Sequence, residues 1–272
     1  MLRQRVLVVL LLLPLGLGLV YLGGYYFLGL IALVLGMASW EYARLFRKGG
    51  FQPAMVLTVL GTVALAVGRG LSDFASDHWI LSAFLLICLV HHLVRFERGR
   101  DQAATDFAIT LSGVLYIGWL GAYLISLRNM PSGIWWFLVA LPSVWAADSG
   151  AFFYGRRFGK RKLCPRLSPK KTWEGYFAGI VSGVIVGALL AYIFSLQAPL
   201  GAGITPLRGA LLGLVLSVFP TLGDLGESMV KRQVGVKDSG TLLPGHGGVF
   251  DRIDSWIWGG ALSYYLITSF FL

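Results

Sequence analysis

The stretch WEGYFAGIVSGVIVGALLAYIFSL, residues 173–196, decides the fold class. Its only formal charge is Glu174, at the start. A helix that crosses the hydrocarbon core of a bilayer needs about 20 mostly apolar residues, and this run supplies them. Gly175, Gly179, Gly183 and Gly187 recur every fourth position, which gives a helix one smooth face for close packing against a neighbour.

Working outward, further apolar segments fall at 6–22, 25–46, 54–69, 79–95, 104–127, 133–154, 207–230 and 254–271, so nine helices are candidates for membrane spans. Composition agrees: 56% of the 272 residues are hydrophobic and 13% charged, with mean hydropathy +0.72, whereas about 25% charged residues is usual in soluble domains. The expectation is an all-α polytopic integral membrane protein. Arg3 and Arg5 ahead of VLVVLLLLPLGLGLV resemble the front of a signal peptide. No small-residue cleavage pattern follows, so the segment reads as a retained first span. Cys88 and Cys164 have no metal-ligand spacing and read as free thiols.

Orientation follows from the basic residues. With the N-terminus cytoplasmic and nine spans, 20 of the 23 Lys and Arg fall on the cytoplasmic side, and only Arg69, Arg128 and Arg208 fall outside. The C-terminus is then expected outside. The net charge of +10 is therefore one-sided and suits membrane lipids, while no soluble basic domain exists to engage nucleic acid. Twelve of those 20 basic residues sit in two loops, 155–172 and 231–253. Topology alone does not require that concentration.

Polar residues gather around the same loops. Asp224, Glu227, Ser228 and Lys231 share one helix face by their spacing, four residues after Pro220, which is expected to kink the helix. Carboxylates inside a membrane segment are expensive and tend to be functional, although an Asp224–Lys231 or Glu227–Lys231 ion pair ending the helix is the simpler alternative. Downstream, Pro244, Gly245, Gly247 and Gly248 frame His246 in a loop able to turn N–H groups toward an anion. Asp251 and Asp254 open the last helix, either as capping acids or as site residues. Asp251, beside Arg252, is the stronger site candidate. With Asp224 it would form an oxygen-rich cation site of the Mg²⁺ type, and oxygen-only neighbours argue against zinc. Upstream, Asp148 nears the end of its span. Ser168-Pro169 reads as a helix N-cap followed by proline at the first helical position, which would place Lys170 and Lys171 in a first turn suited to phosphate.

These residues also carry a resemblance. SMVKRQVGVKDSGTLLPGHGGVFDRIDS, residues 228–255, resembles the signature of phosphatidate cytidylyltransferases, also called CDP-diacylglycerol synthases. ADSGAFFYGRRFGK, SPKKTWEG and GDLGES are similar to that family's elements as well, so the likeness covers about residues 145–257. It implies a bacterial, multi-pass inner (plasma) membrane enzyme with its site on the cytoplasmic face. The implied reaction joins phosphatidic acid to CTP, giving CDP-diacylglycerol and pyrophosphate. The implied cofactor is Mg²⁺ on Asp224 and Asp251, with a second cation left open, and the implied assembly is a homodimer. Lys231 and Lys237 join those acids as expected catalytic residues. Asp148, Ser168, Lys170, Lys171, Glu227, Ser228, Arg232, Asp238, His246, Gly247, Gly248 and Arg252 are the expected substrate and phosphate contacts. Residues 1–130 would form about five spans walling the lipid site and scaffolding the dimer, and 131–272 the catalytic membrane region. The rival readings are a CTP-dependent lipid-alcohol kinase and, from another class, an ion-coupled transporter, which usually places its site at the membrane midplane.

Overall fold

The computed structural model describes residues 2–199, 201–240 and 247–272. The protein is an all-α polytopic membrane protein. Its helices are α1 (Leu2–Leu22), α2 (Gly24–Lys48), α3 (Met55–Ser72), α4 (Asp77–Glu97), α5 (Ala103–Gly113), α6 (Tyr123–Asn129), α7 (Gly133–Phe158), α8 (Trp173–Ser195), α9 (Pro206–Val218), α10 (Pro220–Gln233) and α11 (Phe250–Leu266). Each of the nine apolar segments read from the sequence is predominantly helical, with 207–230 divided between α9 and α10. Among the described residues, seven stretches, each a single helix or consecutive helical pieces, have the length and composition to cross a membrane. A π-helical turn at Val114–Trp119 follows α5, and another at Ile267–Phe271 follows α11.

The chain forms two compact units, one of Met1–Ser126 with Val230–Ile253, the other of Leu127–Met229 with Asp254–Leu272. In the first unit, Leu65, Phe84, Cys88 and Val114 form a buried cluster. Arg69, fully buried, is paired with Asp77, donates to Ser126 Oγ at 3.1 Å and lies 3.8 Å from the Phe74 ring centroid. This cation is paired, hydrogen-bonded and faced by an aromatic ring, which is what burial of a charge demands.

In the second unit the glycine stripe of α8 packs as its spacing predicts. A Cβ at Gly175 or Gly179 would lie 2.7 Å from the Ala151 or Ala147 carbonyl of α7, while one at Gly183 or Gly187 would collide with Ser217 or the Gly209 carbonyl of α9. One face thus serves two neighbours, and any side chain there would force helices apart. The expected kink is also present as an interruption: α9 ends at Val218, and α10 restarts at Pro220, which has no N–H to continue the ladder.

The loop after α7 departs from expectation. Ser168 and Pro169 do not start a helix; Ser168–Thr172 is a strand, β2, paired antiparallel with β1 (Lys162–Cys164). The cap is Thr172, whose Oγ1 accepts the Gly175 N–H at 3.2 Å, and the helix begins at Trp173. Glu174 fixes the other end of the hairpin by accepting the Lys160 and Arg161 N–H groups. Lys170 and Lys171 therefore lie on a strand, not in the first turn of a helix.

Candidate functional site

In the second unit, three acids converge. Ligand oxygens of Asp224, Glu227 and Asp254 all lie within 4.8 Å of one another. Asp224 and Glu227 are brought to one side of α10 by their three-residue spacing. Asp254 reaches them because α10 and α11 approach closely at Gly223, where a Cβ would lie 2.7 Å from the Asp254 carbonyl oxygen. Glu227 and Asp254 are buried, and Asp224 is half-buried. Lys171, on the strand, meets Asp224 with Nζ 2.6 Å from Oδ2. Ser228 Oγ donates to Asp224 Oδ1 at 3.4 Å, and Ser255 N–H to Asp254 Oδ1 at 2.7 Å. Asp148, exposed on α7, lies within electrostatic range of Asp224, Asp254 and Lys171.

Carboxylates this close repel one another strongly unless protons or a cation intervene. Their donor set is all oxygen, as hard divalent cations prefer, so the residues present fit a metal of the Mg²⁺ or Ca²⁺ class.

In the first unit, Asp251 organises the segment before α11. Its Oδ1 accepts Lys231 Nζ at 2.7 Å. Its Oδ2 accepts three donors: Ser239 N–H at 2.9 Å, Ser239 O–H at 2.8 Å and Gly248 N–H at 2.8 Å. Gly247 has φ +85°, and a Cβ there would lie 2.9 Å from Asp251 Oδ2, so only glycine serves both turn and contact. The Gly248 N–H is thus turned inward, as expected, but toward Asp251. Lys231 pairs with Asp251, a partner that spacing along α10 does not reveal.

Beneath that segment sits Glu41 of α2, fully buried, which sequence reading passed over. Its Oε2 accepts the Ser239 O–H at 3.2 Å and the Phe250 N–H at 2.9 Å. Side chains at Gly240 or Gly248 would strike its carboxylate. The available signal was a lone acid in a long apolar helix. Truncating Glu41 leaves the buried Phe250 N–H unmatched, at about 1–3 kcal/mol. Glu41→Ala should therefore lower thermal stability in detergent and reduce turnover roughly thirtyfold, at the middle of that range. Glu41→Gln, which keeps an acceptor oxygen, should recover most of both; equal loss in both variants would show that the carboxylate's shape is not what matters.

Of the remaining expected contacts, Lys170, Arg232, Lys237, Asp238 and Arg252 are exposed, and Ser168 is half-buried. His246, Pro244 and Gly245 lie outside the described residues, as do the side chains of Arg3 and Arg5.

A model of the cytidylyltransferase family matches residues 3–270. The chain belongs to that family. Its relatives include proteins named phosphatidate cytidylyltransferase from Synechocystis sp., 34% identical over 97% of this chain and 96% of that protein, and from Pseudomonas aeruginosa, 36% identical over 94% and 93%. A third from Bacillus subtilis is 45% identical over 60% of this chain. Within this cytidylyltransferase the signature segment 228–255 contributes to both clusters, Asp224 being just upstream of it. Asp254, which the sequence left divided between capping and function, lies in the acidic cluster.

Proposed function

We propose that this cytidylyltransferase transfers CMP from CTP to phosphatidic acid, forming CDP-diacylglycerol and releasing pyrophosphate for phospholipid synthesis. Full-length similarity to two proteins named for that reaction is the observation that carries the reading. An oxygen of the phosphatidate phosphate attacks the α-phosphorus of CTP, and the bond from that phosphorus to the bridging oxygen of pyrophosphate breaks. Such a phosphomonoester has a second pKa near 6 and is already anionic at neutral pH, so the chain needs no general base. What it must supply is neutralisation between two polyanions. Lys170 and Lys171, and Lys231, Lys237 and Arg252, are the proposed cations, with Lys171 and Lys231 poised by their ion pairs to exchange a carboxylate for a phosphate. Asp224 remains a proposed metal residue, and Glu227 and Asp254 join it on the strength of their clustering, while Asp251 is proposed to act by holding Lys231 and Ser239 in place. Mg²⁺ held there would supply charge stabilisation for the transferring phosphoryl group and its leaving group.

The protein is a membrane enzyme in this reading. It lies in the bacterial inner membrane with its site toward the cytoplasm, where CTP is dissolved and phosphatidate arrives laterally. The homodimer and the role of residues 1–130 as lipid-site wall belong to the same proposal.

The test uses purified protein, phosphatidic acid in mixed micelles, Mg²⁺, and CTP labelled in cytidine or at the γ-phosphate. Cytidine label should enter the lipid with release of pyrophosphate. Transfer of γ-label alone would make this a lipid kinase. Folded protein inert to both labels, yet driving substrate uptake into proteoliposomes, would indicate a transporter.

A further inference from the structure

The first unit holds a cavity of about 570 Å³ that takes no part in the proposed chemistry. It lies where the end of α2, the connection 49–54, the start of α3 and the last turns of α4 meet. Arg47, His91 and Arg95 line it together with Phe51, Met55 and Leu57, and no acid is among its lining residues. Arg47 donates one nitrogen to the Pro53 carbonyl at 3.5 Å, and Arg95 bonds the Gln52 side chain. Among the described residues neither has a carboxylate at ion-pair distance. A guanidinium carries five donors, so these single contacts leave most of each fork for an anion.

The cavity wall is fastened in place. Gln52 N–H donates to Asp106 Oδ1 at 2.7 Å, Ala54 N–H to Thr110 Oγ1 at 2.9 Å, and Arg100 both pairs with Asp106 and donates to the Gly50 carbonyl. Its chemistry is divided, basic at the helix ends and apolar toward the spans. Val56 lines it, and Leu60, one turn along the same face of α3, continues the apolar track outward; both are exposed. A free phosphate would use the arginines and leave that track without purpose. A phospholipid uses both. Basic pockets between membrane helices are known to take anionic headgroups.

We infer that this cavity is a binding site for an anionic glycerophospholipid, its headgroup between Arg47 and Arg95 and an acyl chain along α3. The site does not depend on the cytidylyltransferase reading, because binding is measured without turnover. The full chain is placed in phosphatidylcholine bilayers with a photoactivatable phosphatidylglycerol, and the crosslinked peptides are mapped. Adducts are expected within 47–57 and 91–95, competed by unlabelled phosphatidylglycerol but not by phosphatidylcholine or inorganic phosphate. Each arginine near a membrane surface is worth about fivefold in lipid affinity. The Arg47→Gln/Arg95→Gln variant should therefore need about thirtyfold more lipid for equal labelling. The Arg47→Lys/Arg95→Lys variant, which keeps the charge, should lose only a few-fold and covers the case in which the first variant fails to fold. Equal competition by phosphatidylcholine would make the labelling ordinary lipid contact. Displacement by inorganic phosphate would make it a soluble-anion site. Adducts only elsewhere, or unchanged labelling in a folded glutamine variant, would equally overturn the assignment.

Discussion

Asp224→Asn should reduce cytidylyl transfer on the order of a hundredfold to a thousandfold, the range seen when one electrostatic contributor to a phosphoryl or acyl transition state is removed. The residue begins its work at the interruption after Val218, which starts α10 afresh and aims Asp224 and Glu227 to one side. There they meet Asp254 of α11 and Lys171 of the strand. Asparagine keeps the size and one acceptor oxygen, so the helix and the hydrogen bond from Ser228 can survive. It removes one charge from a cluster whose charge density is its means of attracting a divalent cation. The loss should therefore be accompanied by a higher Mg²⁺ requirement, measured by titrating Mg²⁺ in the labelled-CTP assay. Unchanged elution and melting in detergent would separate this from misfolding. Near wild-type turnover at ordinary Mg²⁺ would remove Asp224 from the metal site.

The membrane architecture was legible because spans are long and locally encoded. The glycine stripe of α8 and the break at Pro220 belong to the same class, as each depends on neighbouring residues of one apolar segment. Ser168-Pro169 misled because a strand pairing, Lys162 with Thr172 and Cys164 with Ser168, overrides the local capping preference. Asp254 was ambiguous because acids at a helix start are ordinary caps. Only the close approach at Gly223 sets it beside Asp224 and Glu227. Glu41 meets Ser239, 198 residues away, and no spacing rule reaches that far. Its isolation in an apolar helix said that it needed a partner, without saying which.

Asp251→Asn should be as damaging as Asp224→Asn, for a different and separable reason. The Asp251 carboxylate accepts four donors from Lys231, Ser239 and Gly248, and the ion pair with Lys231 is largely shielded, at 13% and 8% side-chain exposure. Asparagine offers one acceptor oxygen and puts an NH₂ where the other stood, facing donors with a donor. Breaking one side of a buried pair typically costs about 3–5 kcal/mol, because the remaining charge is left uncompensated. At 1.4 kcal/mol per tenfold, that weakens the hold of residue 251 on Lys231, Ser239 and Gly248 by about two to three and a half orders of magnitude. Turnover should fall to match, since Lys231 and the start of α11 lose their fixed positions together. Hydrogen exchange then distinguishes the two acids. The Ser239, Gly248 and Phe250 amides, whose protection rests on Asp251 and Glu41, should exchange much faster in Asp251→Asn and at wild-type rates in Asp224→Asn. If Asp251→Asn abolished turnover with those three amides still protected, Asp251 would act on the metal or substrate directly, and the loop would be held by Glu41 alone. If it preserved both turnover and protection, neither role would stand.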